Sequence, residues 1–221
     1  MQKVLTRAEK ISKTMRLKKI NNFSAWRVRM EEEGRGIKYL IFPKNGDLAE
    51  LCGVVLGDGH IWAYPRTEEL SIFSNANNPG FIRRYSDLIE KLFGKKPILR
   101  KHGENCVRIR IYQKNISDRL EVPLSPRGEK RIIVPNWIFQ NKTYTVRYLR
   151  GLYEAEGCFC EHAPTYTHKA LFSNKNGSML KNVHMLLSKL GFHPHMDQRQ
   201  VQLSRKTEVN RFRGLIDFRK Y

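Results

Sequence analysis

Two carboxylates stand at matched places in this chain. Asp58 falls near the end of Leu51-Cys52-Gly53-Val54-Val55-Leu56-Gly57-Asp58-Gly59. Glu156 holds the same place in Leu149-Arg150-Gly151-Leu152-Tyr153-Glu154-Ala155-Glu156-Gly157, at an offset of 98. Gly53 and Gly57, and likewise Gly151 and Ala155, are about one helical turn apart, so each stretch read as a helix has a stripe almost free of side chains. Two such stripes let two backbones approach closely, a steric argument best known from membrane helices. Packed that way, the helices bring Asp58 and Glu156 together. Adjoining carboxylates repel and are costly unless a cation lies between them. Hard oxygen donors suit Mg²⁺ (or Mn²⁺), with phosphate oxygens completing the shell. That is the donor set of metal-assisted phosphodiester hydrolysis by a metal-oriented water. Gly57 and Ala155, directly before the acids, join the expected metal set. The plainer reading is a pair of solvated helix-end carboxylates, but negative charge there opposes the helix dipole. Glu154 is expected to point away, since residues two apart do not share a helix face.

The elements around the acids repeat. Ile72-Phe73-Ser74-Asn75 matches Leu171-Phe172-Ser173-Asn174 at offset 99, and Val107 to Lys114 matches Arg199 to Lys206 at offset 92. Three blocks in one order mean a duplicated unit. In each half a helix ends in the acid-Gly pair, and strand-like runs follow, 60–66 with 69–75 and 158–166 with 168–174. A helix comes next, 79–93 or 177–190, then two more strands, 97–101 with 106–113 and 192–197 with 200–204, and a last helix. Residues 107–112 alternate Val, Arg, Ile, Arg, Ile, Tyr, giving one apolar and one polar face. The expected fold is α+β: two pseudo-symmetric αββαββα repeats, residues 48–125 and 143–221, joined by a linker 126–142 that holds Pro126, Gly128 and Pro135.

Residues 1–47 differ. Within residues 1–35 ten Lys or Arg face four Glu, and apolar residues at Leu5, Ala8, Ile11 and Met15, then Ile20, Phe23, Trp26 and Met30, have helical spacing. Thr6 reads as an N-cap. Two short helices joined by a basic turn resemble a helix-turn-helix, with Asn21 to Arg29 as the candidate recognition helix and Lys18, Lys19, Asn21, Asn22 and Arg27 as candidate DNA contacts. A basic hairpin that only packs is the alternative.

Composition sets the partner class. The 221 residues hold 41 Lys plus Arg against 21 Asp plus Glu, a formal net charge of +20. Such a chain repels itself unless something acidic compensates, and a nucleic-acid backbone fits best. No apolar run approaches a membrane span and no signal peptide opens the chain, so the expected setting is intracellular (cytoplasm, nucleoid or an organelle) with no membrane partner. Cys52, Cys106, Cys158 and Cys160 show no CxxC spacing, which argues against structural zinc and against a disulfide framework.

The two nine-residue stretches, with Leu48-Ala49-Glu50 before the first, Arg147-Tyr148 before the second and Phe159 after it, resemble the motifs of the LAGLIDADG homing endonucleases. The resemblance covers roughly 170 residues, all but the N-terminal arm. It implies a monomeric, two-motif double-strand DNA endonuclease whose sheets form a saddle on the duplex, with one metal-binding acid per motif. Glu156 stands where Asp is commoner. Basic residues near the site help stabilise developing charge in the family, and Lys114 and Lys206, after the last strands of their halves, are the candidates by position. His60 is read as a DNA-face residue rather than a general base. The strand faces offer further base or phosphate contacts: His60, Trp62, Tyr64, Arg66, Ser71, Arg108, Arg110 and Tyr112 in the first half, and His162, Thr165, Tyr166, Thr167, Gln200, Gln202 and Ser204 in the second. Arg suits guanine and Gln suits adenine. Unlike halves predict a long, non-palindromic target. Two other readings stand: a regulator on this scaffold that binds DNA without cutting, and an RNA maturase assisting intron splicing. Intein splicing is set aside, for Met1 is not a nucleophile and the chain closes on Phe218-Arg219-Lys220-Tyr221.

Overall fold

In the computed structural model, contacts divide the chain into Met1–Tyr39 and Leu40–Tyr221. The structure describes residues 6–18, 26, 28–30, 32–34, 39, 41–162 and 167–221, without the side chains of Ala8 and His162. In the first unit, helix α1 (Arg7–Leu17) starts at a full capping box. The Thr6 hydroxyl accepts the Glu9 N–H at 3.3 Å and the Glu9 carboxylate accepts the Thr6 N–H at 2.7 Å, so two orphan donors are satisfied at once. Lys18 is exposed. Residues 28–30 are helical, and Gly34 follows with φ of +67°. Lys19, Asn21, Asn22 and Arg27 lie outside the described residues, and with them most of the candidate recognition helix.

The second unit is built twice from one plan. Helix α2 (Gly46–Gly57) leads into strands β1 (Gly59–Tyr64) and β2 (Thr67–Asn75), helix α3 (Pro79–Phe93), strands β3 (Ile98–Lys101) and β4 (Cys106–Gln113), and the short helix α4 (Ile116–Leu120). After helix α5 (Asn136–Gln140) the plan repeats: α6 (Lys142–Glu156), β5 (Gly157–His162), β6 (Thr167–Ser173), α7 (Gly177–Lys189), β7 (His195–Met196), β8 (Gln200–Leu203) and α8 (Lys206–Leu215). Each half forms a four-stranded antiparallel sheet, ordered β1-β2-β4-β3 and β5-β6-β8-β7. One face of each sheet carries the core residues Ile61, Leu70, Ile72, Ile109 and Ile111, and Ala170, Phe172, Val201 and Leu203. The alternate residues face outward, as period-two strands require.

One detail differs from the sequence alignment of the repeats. Ile72 pairs with Gly59, and Phe172 pairs with Gly157. Ile72 therefore corresponds to Phe172, not to Leu171. The matching Phe-Ser-Asn strings are one residue out of register, which reverses faces: Phe172 is fully buried, while Phe73 lies outward over Arg108. Residues 126–142 do more than connect the halves. They hold α5 and bury Ile132, Val134 and Ile138 in the core.

The two motif helices touch backbone to backbone. A Cβ added at Gly53 would lie 2.3 Å from the Tyr148 carbonyl oxygen, and one at Gly151 would lie 2.1 Å from the Glu50 carbonyl oxygen. One turn on, Gly57 meets the Ala155 methyl, where an added Cβ would come within 2.4 Å. The opposite end of the pair is fastened by charge. Arg147 of α6 donates to Glu50 at 2.5 Å and to Asp47 at 2.7 Å, both on α2, and Arg84 of α3 donates to the same Glu50 at 2.5 and 2.8 Å. Glu50 is wholly buried, and a buried carboxylate is costly without such partners; Arg150 also lies 3.5 Å from it. Gly151→Ala should therefore destabilise the protein by about 1–3 kcal/mol through overpacking. Gly177→Ala, where an added Cβ meets nothing within 4 Å, should be close to neutral. Thermal melts of the two variants check this; equal melting points would contradict it.

Candidate functional site

The contact between α2 and α6 carries both helices to a common end, where their acids sit. Asp58 caps α2, its N–H bonded to the Val54 carbonyl at 3.0 Å, and Glu156 is the last residue of α6. Each acid is followed by a glycine that starts a strand. A Cβ on Gly59 would lie 2.5 Å from the Val55 carbonyl oxygen, so the chain can leave the helix this sharply only without a side chain. Burial, and then the neighbouring Glu156 carboxylate, push Asp58 up to about 7. Glu156 is raised too, by burial. The Asp58 shift thus combines burial with negative charge nearby, while that of Glu156 reflects burial.

That donor set fits a hard divalent cation. Among the described residues no group of three or more His, Cys, Asp or Glu side chains gathers at one point, so two carboxylates are what the chain offers and a ligand must bring the remaining oxygens. Glu154 is not part of the pair. It accepts the Arg219 N–H at 2.6 Å and the Tyr221 hydroxyl, and so ties the C-terminal residues down.

The strand directions correct one expectation. β4 and β8 begin beside the acids and run away from them, because each pairs antiparallel with a strand that ends there. Gln113 pairs with Glu68, four residues along β2 from the level of Gly59, which is about 13 Å at the usual strand rise. Lys114 lies one residue further still, at the far end of the first sheet. Lys206 opens α8, three residues past Leu203, where β8 ends. Lys114 is not placed to reach the acids. The cations at the acid end are others. Lys175 and Arg199 line a cleft with Glu156, Ser173, Asn174 and Gln198. Behind Asp58, Arg127 donates to the Val55 carbonyl at 2.7 Å and to the Gly59 carbonyl, and burial pushes its guanidinium down to about 10. Repeat matching could not find Arg127, because it lies between the repeats; strand polarity could have pointed to Lys175 and Arg199.

The outward sheet faces hold most of the other candidates. On the first sheet these are His60, Trp62, Tyr64, Ser71, Arg108, Arg110 and Tyr112, with exposed Arg66 in the β1–β2 turn. His60 and Trp62 stack with ring centroids 5.7 Å apart. Burial and the Arg127 and Arg108 cations lower the His60 imidazole. On the second sheet Thr167, Gln200 and Gln202 face outward, with Ser204 just past β8. His162 ends β5, its side chain undescribed; Thr165 and Tyr166 lie outside the described residues. Several outward positions escaped the sequence reading: Glu69 in the first sheet, and Cys158, Cys160 and Lys169 in the second. Glu69 is the unexpected one, an acid on a cationic face. Burial alone would raise it, but hydrogen bonds from Ser71 and Tyr112 and the Arg108 and Arg110 charges hold it below the ordinary range.

Two αββαββα units joined along glycine-lined helices, each tipped by an acid, define the LAGLIDADG class of fold. Residues 143–220 match the family model of the LAGLIDADG-like domain. Among solved structures, mesophilic variants of the homing endonuclease I-DmoI align over 77% of this chain and 94% of theirs, at 19% identity and a TM-score of 0.53. I-DmoI in complex with DNA and Mn aligns over 79% of this chain and 97% of its own, at 19% identity and a TM-score of 0.53. The N-terminal LAGLIDADG domain of DUF199/WhiA aligns over 82% and 85%, at 14% identity and a TM-score of 0.53. Comparison with curated protein sequences gives no match. Residues 143–220 thus match the LAGLIDADG-like domain, and the chain shares its fold with these solved structures.

The raised acids have a consequence for stability. A carboxylate whose folded value lies above its ordinary 3.8 contributes stability below that value and loses it as pH rises through about 7. Metal-free protein should melt lower at about pH 8 than at about pH 5, and Asp58→Asn should reduce that fall. At about pH 8 the variant should melt above the parent, each kcal/mol being about 2–4 °C for a domain of this size. Melting curves of both proteins check the expectation; an unchanged pH slope in Asp58→Asn would contradict it.

Proposed function

We propose that the chain is a sequence-specific double-strand DNA endonuclease that hydrolyses phosphodiester bonds with a divalent cation, Mg²⁺ or Mn²⁺, at the Asp58–Glu156 pair. The observation that carries this reading is the placing of two partly buried acids at the common end of two closely packed helices. When bound there, the cation would supply Lewis-acid polarisation of a phosphate oxygen and orientation of a water. The chain's own part is to hold the two carboxylates, and the adjoining Gly57 and Ala155 backbone, at the acid end of both sheets. Lys175 and Arg199, with Arg127 behind Asp58, keep positive charge near a phosphate whose own charge grows during reaction. Glu156 reaches one methylene further than Asp58, so the two strands of a duplex would be served by unlike acids.

The outward sheet faces would lie along the duplex. Phosphate contacts from the many Lys and Arg fix register, while Arg108, Arg110, Gln200, Gln202 and their neighbours read base edges. The two halves carry different side chains at equivalent levels, which supports a long target without a perfect palindrome. The homing endonuclease I-DmoI has been solved with DNA and Mn, which accords with this reading. On it the protein acts as a monomer in which each repeat covers one half-site, and the arm adds Lys18, Lys19, Asn21, Asn22 and Arg27 to the contact surface.

Incubating the full chain with a randomised duplex library and Mg²⁺, then sequencing the ends, tests the proposal. Metal-dependent double-strand breaks at a recurring sequence are expected. Asp58→Asn should abolish them, a loss of at least about 100-fold being ordinary when a charge-stabilising group is removed. Lys114→Ala, remote from the acids, should leave cleavage within about threefold. Tight, salt-sensitive binding without breaks would instead identify a non-cleaving regulator, and preference for structured RNA would identify a maturase.

A further inference from the structure

The outward face of the first sheet carries Arg100, Arg108 and Arg110 and one acid, Glu69, whose side chain is 2% exposed. Four groups surround this carboxylate. The Ser71 hydroxyl donates to it at 2.6 Å, and Arg108 donates to the same oxygen through Nη2. Tyr64 donates at 3.4 Å, and Tyr112 stands directly opposite on β4. Arg108 in turn is held on three sides: by Glu69, by Ser71 Oγ, which accepts from Nε at 2.9 Å, and by the Phe73 ring, centred 5.6 Å from its guanidinium carbon. A guanidinium is a planar fork with five N–H donors. These contacts engage its Nε–Nη2 edge, and the Nη1–Nη2 edge remains for a ligand.

Gripping a phosphate would not explain this arrangement. A phosphate accepts from an Arg in many orientations, and a carboxylate beside it adds repulsion. Bidentate recognition of guanine O6 and N7 does need a fixed plane, and fixing it beforehand removes the ordering cost at binding. The second sheet lacks the device: at the level of Glu69 stands Lys169, paired with Cys160 as Glu69 is with Trp62, and at the level of Arg108 stands Gln200.

We propose that Glu69 is a positioning residue for specificity: it locks Arg108 as the reader of a guanine in the half-site covered by the first repeat, with no counterpart in the second. This rests on the DNA-binding reading above. Site selection from a randomised duplex by the full chain, without divalent cation so that no duplex is cut, tests it. The parent should enrich one guanine position that Arg108→Gln abolishes. Glu69→Ala should lower discrimination at that position about tenfold or more, within the range set by one bidentate pair. Its affinity for a scrambled duplex should be equal or higher, since a negative charge has gone. Glu69→Gln, which keeps the volume and one acceptor oxygen, should fall between and guards against misfolding. If the guanine position survives in both Glu69 variants while Arg108→Gln removes it, the proposal is overturned. A uniform loss on every duplex would overturn it too, as the sign of a merely structural role. If no form of the chain enriches any sequence, the DNA-binding reading fails and takes the proposal with it.

Discussion

Everything in the second unit depends on the absence of side chains where α2 crosses α6. The Gly53 and Gly151 backbones approach so closely that one added carbon on either would lie 2.3 or 2.1 Å from a carbonyl oxygen of the other helix. That approach, with the Arg147 bridges to Asp47 and Glu50, holds the two helices so that Asp58 and Glu156 share one end. Were the helices separated by ordinary side chains, each acid would end its own helix in solvent, at an ordinary carboxylate value. Close packing converts a duplicated pattern into a single charged centre, and the Glu156 charge adds to burial in raising Asp58.

The same helix pair distributes charge along its length. At its start, buried Glu50 is surrounded by Arg84 and Arg147, with Arg150 at 3.5 Å, so that negative charge inside the body is answered by cations from three directions. At its end the acids have no such answer within the described fold beyond Lys175, Arg199 and the Arg127 anchored on the backbone around Asp58. One end is thus a completed ion-pair network and the other an incomplete one. Buried charge left incomplete is expensive for a fold and useful for binding. The tail takes part as well: Glu154 fixes the Arg219 backbone and the Tyr221 hydroxyl, and Tyr221 covers Gly80 at the start of α3.

Much of this was legible in the sequence, and the parts that were not have physical causes. Gly53, Gly57, Gly151 and the acid-Gly pairs announce themselves because their contacts are steric and local to one motif. The strands of the first sheet appear because Ile109 and Ile111 alternate with Arg108 and Arg110. The register of β2 against β6 did not, since Phe-Ser-Asn matches Phe-Ser-Asn as letters while hydrogen bonding shifts the two by one residue. Lys114 and Lys206 looked equivalent, but only strand polarity tells which end of a strand meets the acids. Glu69 was invisible for a different reason. A single acid in a polar face reads as solvated, and its burial arises only when Ser71, Arg108 and Tyr112 close over it from adjacent residues and strands.

The proposed function requires the two helix tips to hold one kind of ligand jointly, a divalent ion bridging protein carboxylate and phosphate. Anomalous diffraction from crystals of the chain grown with Mn²⁺ and a selected duplex measures this directly. A peak is expected within about 2.2 Å of oxygens from Asp58 or Glu156 and from the DNA backbone, in line with small-cation coordination distances. Carboxylates splayed apart with manganese bound elsewhere, or a duplex seated away from the helix tips, would contradict it.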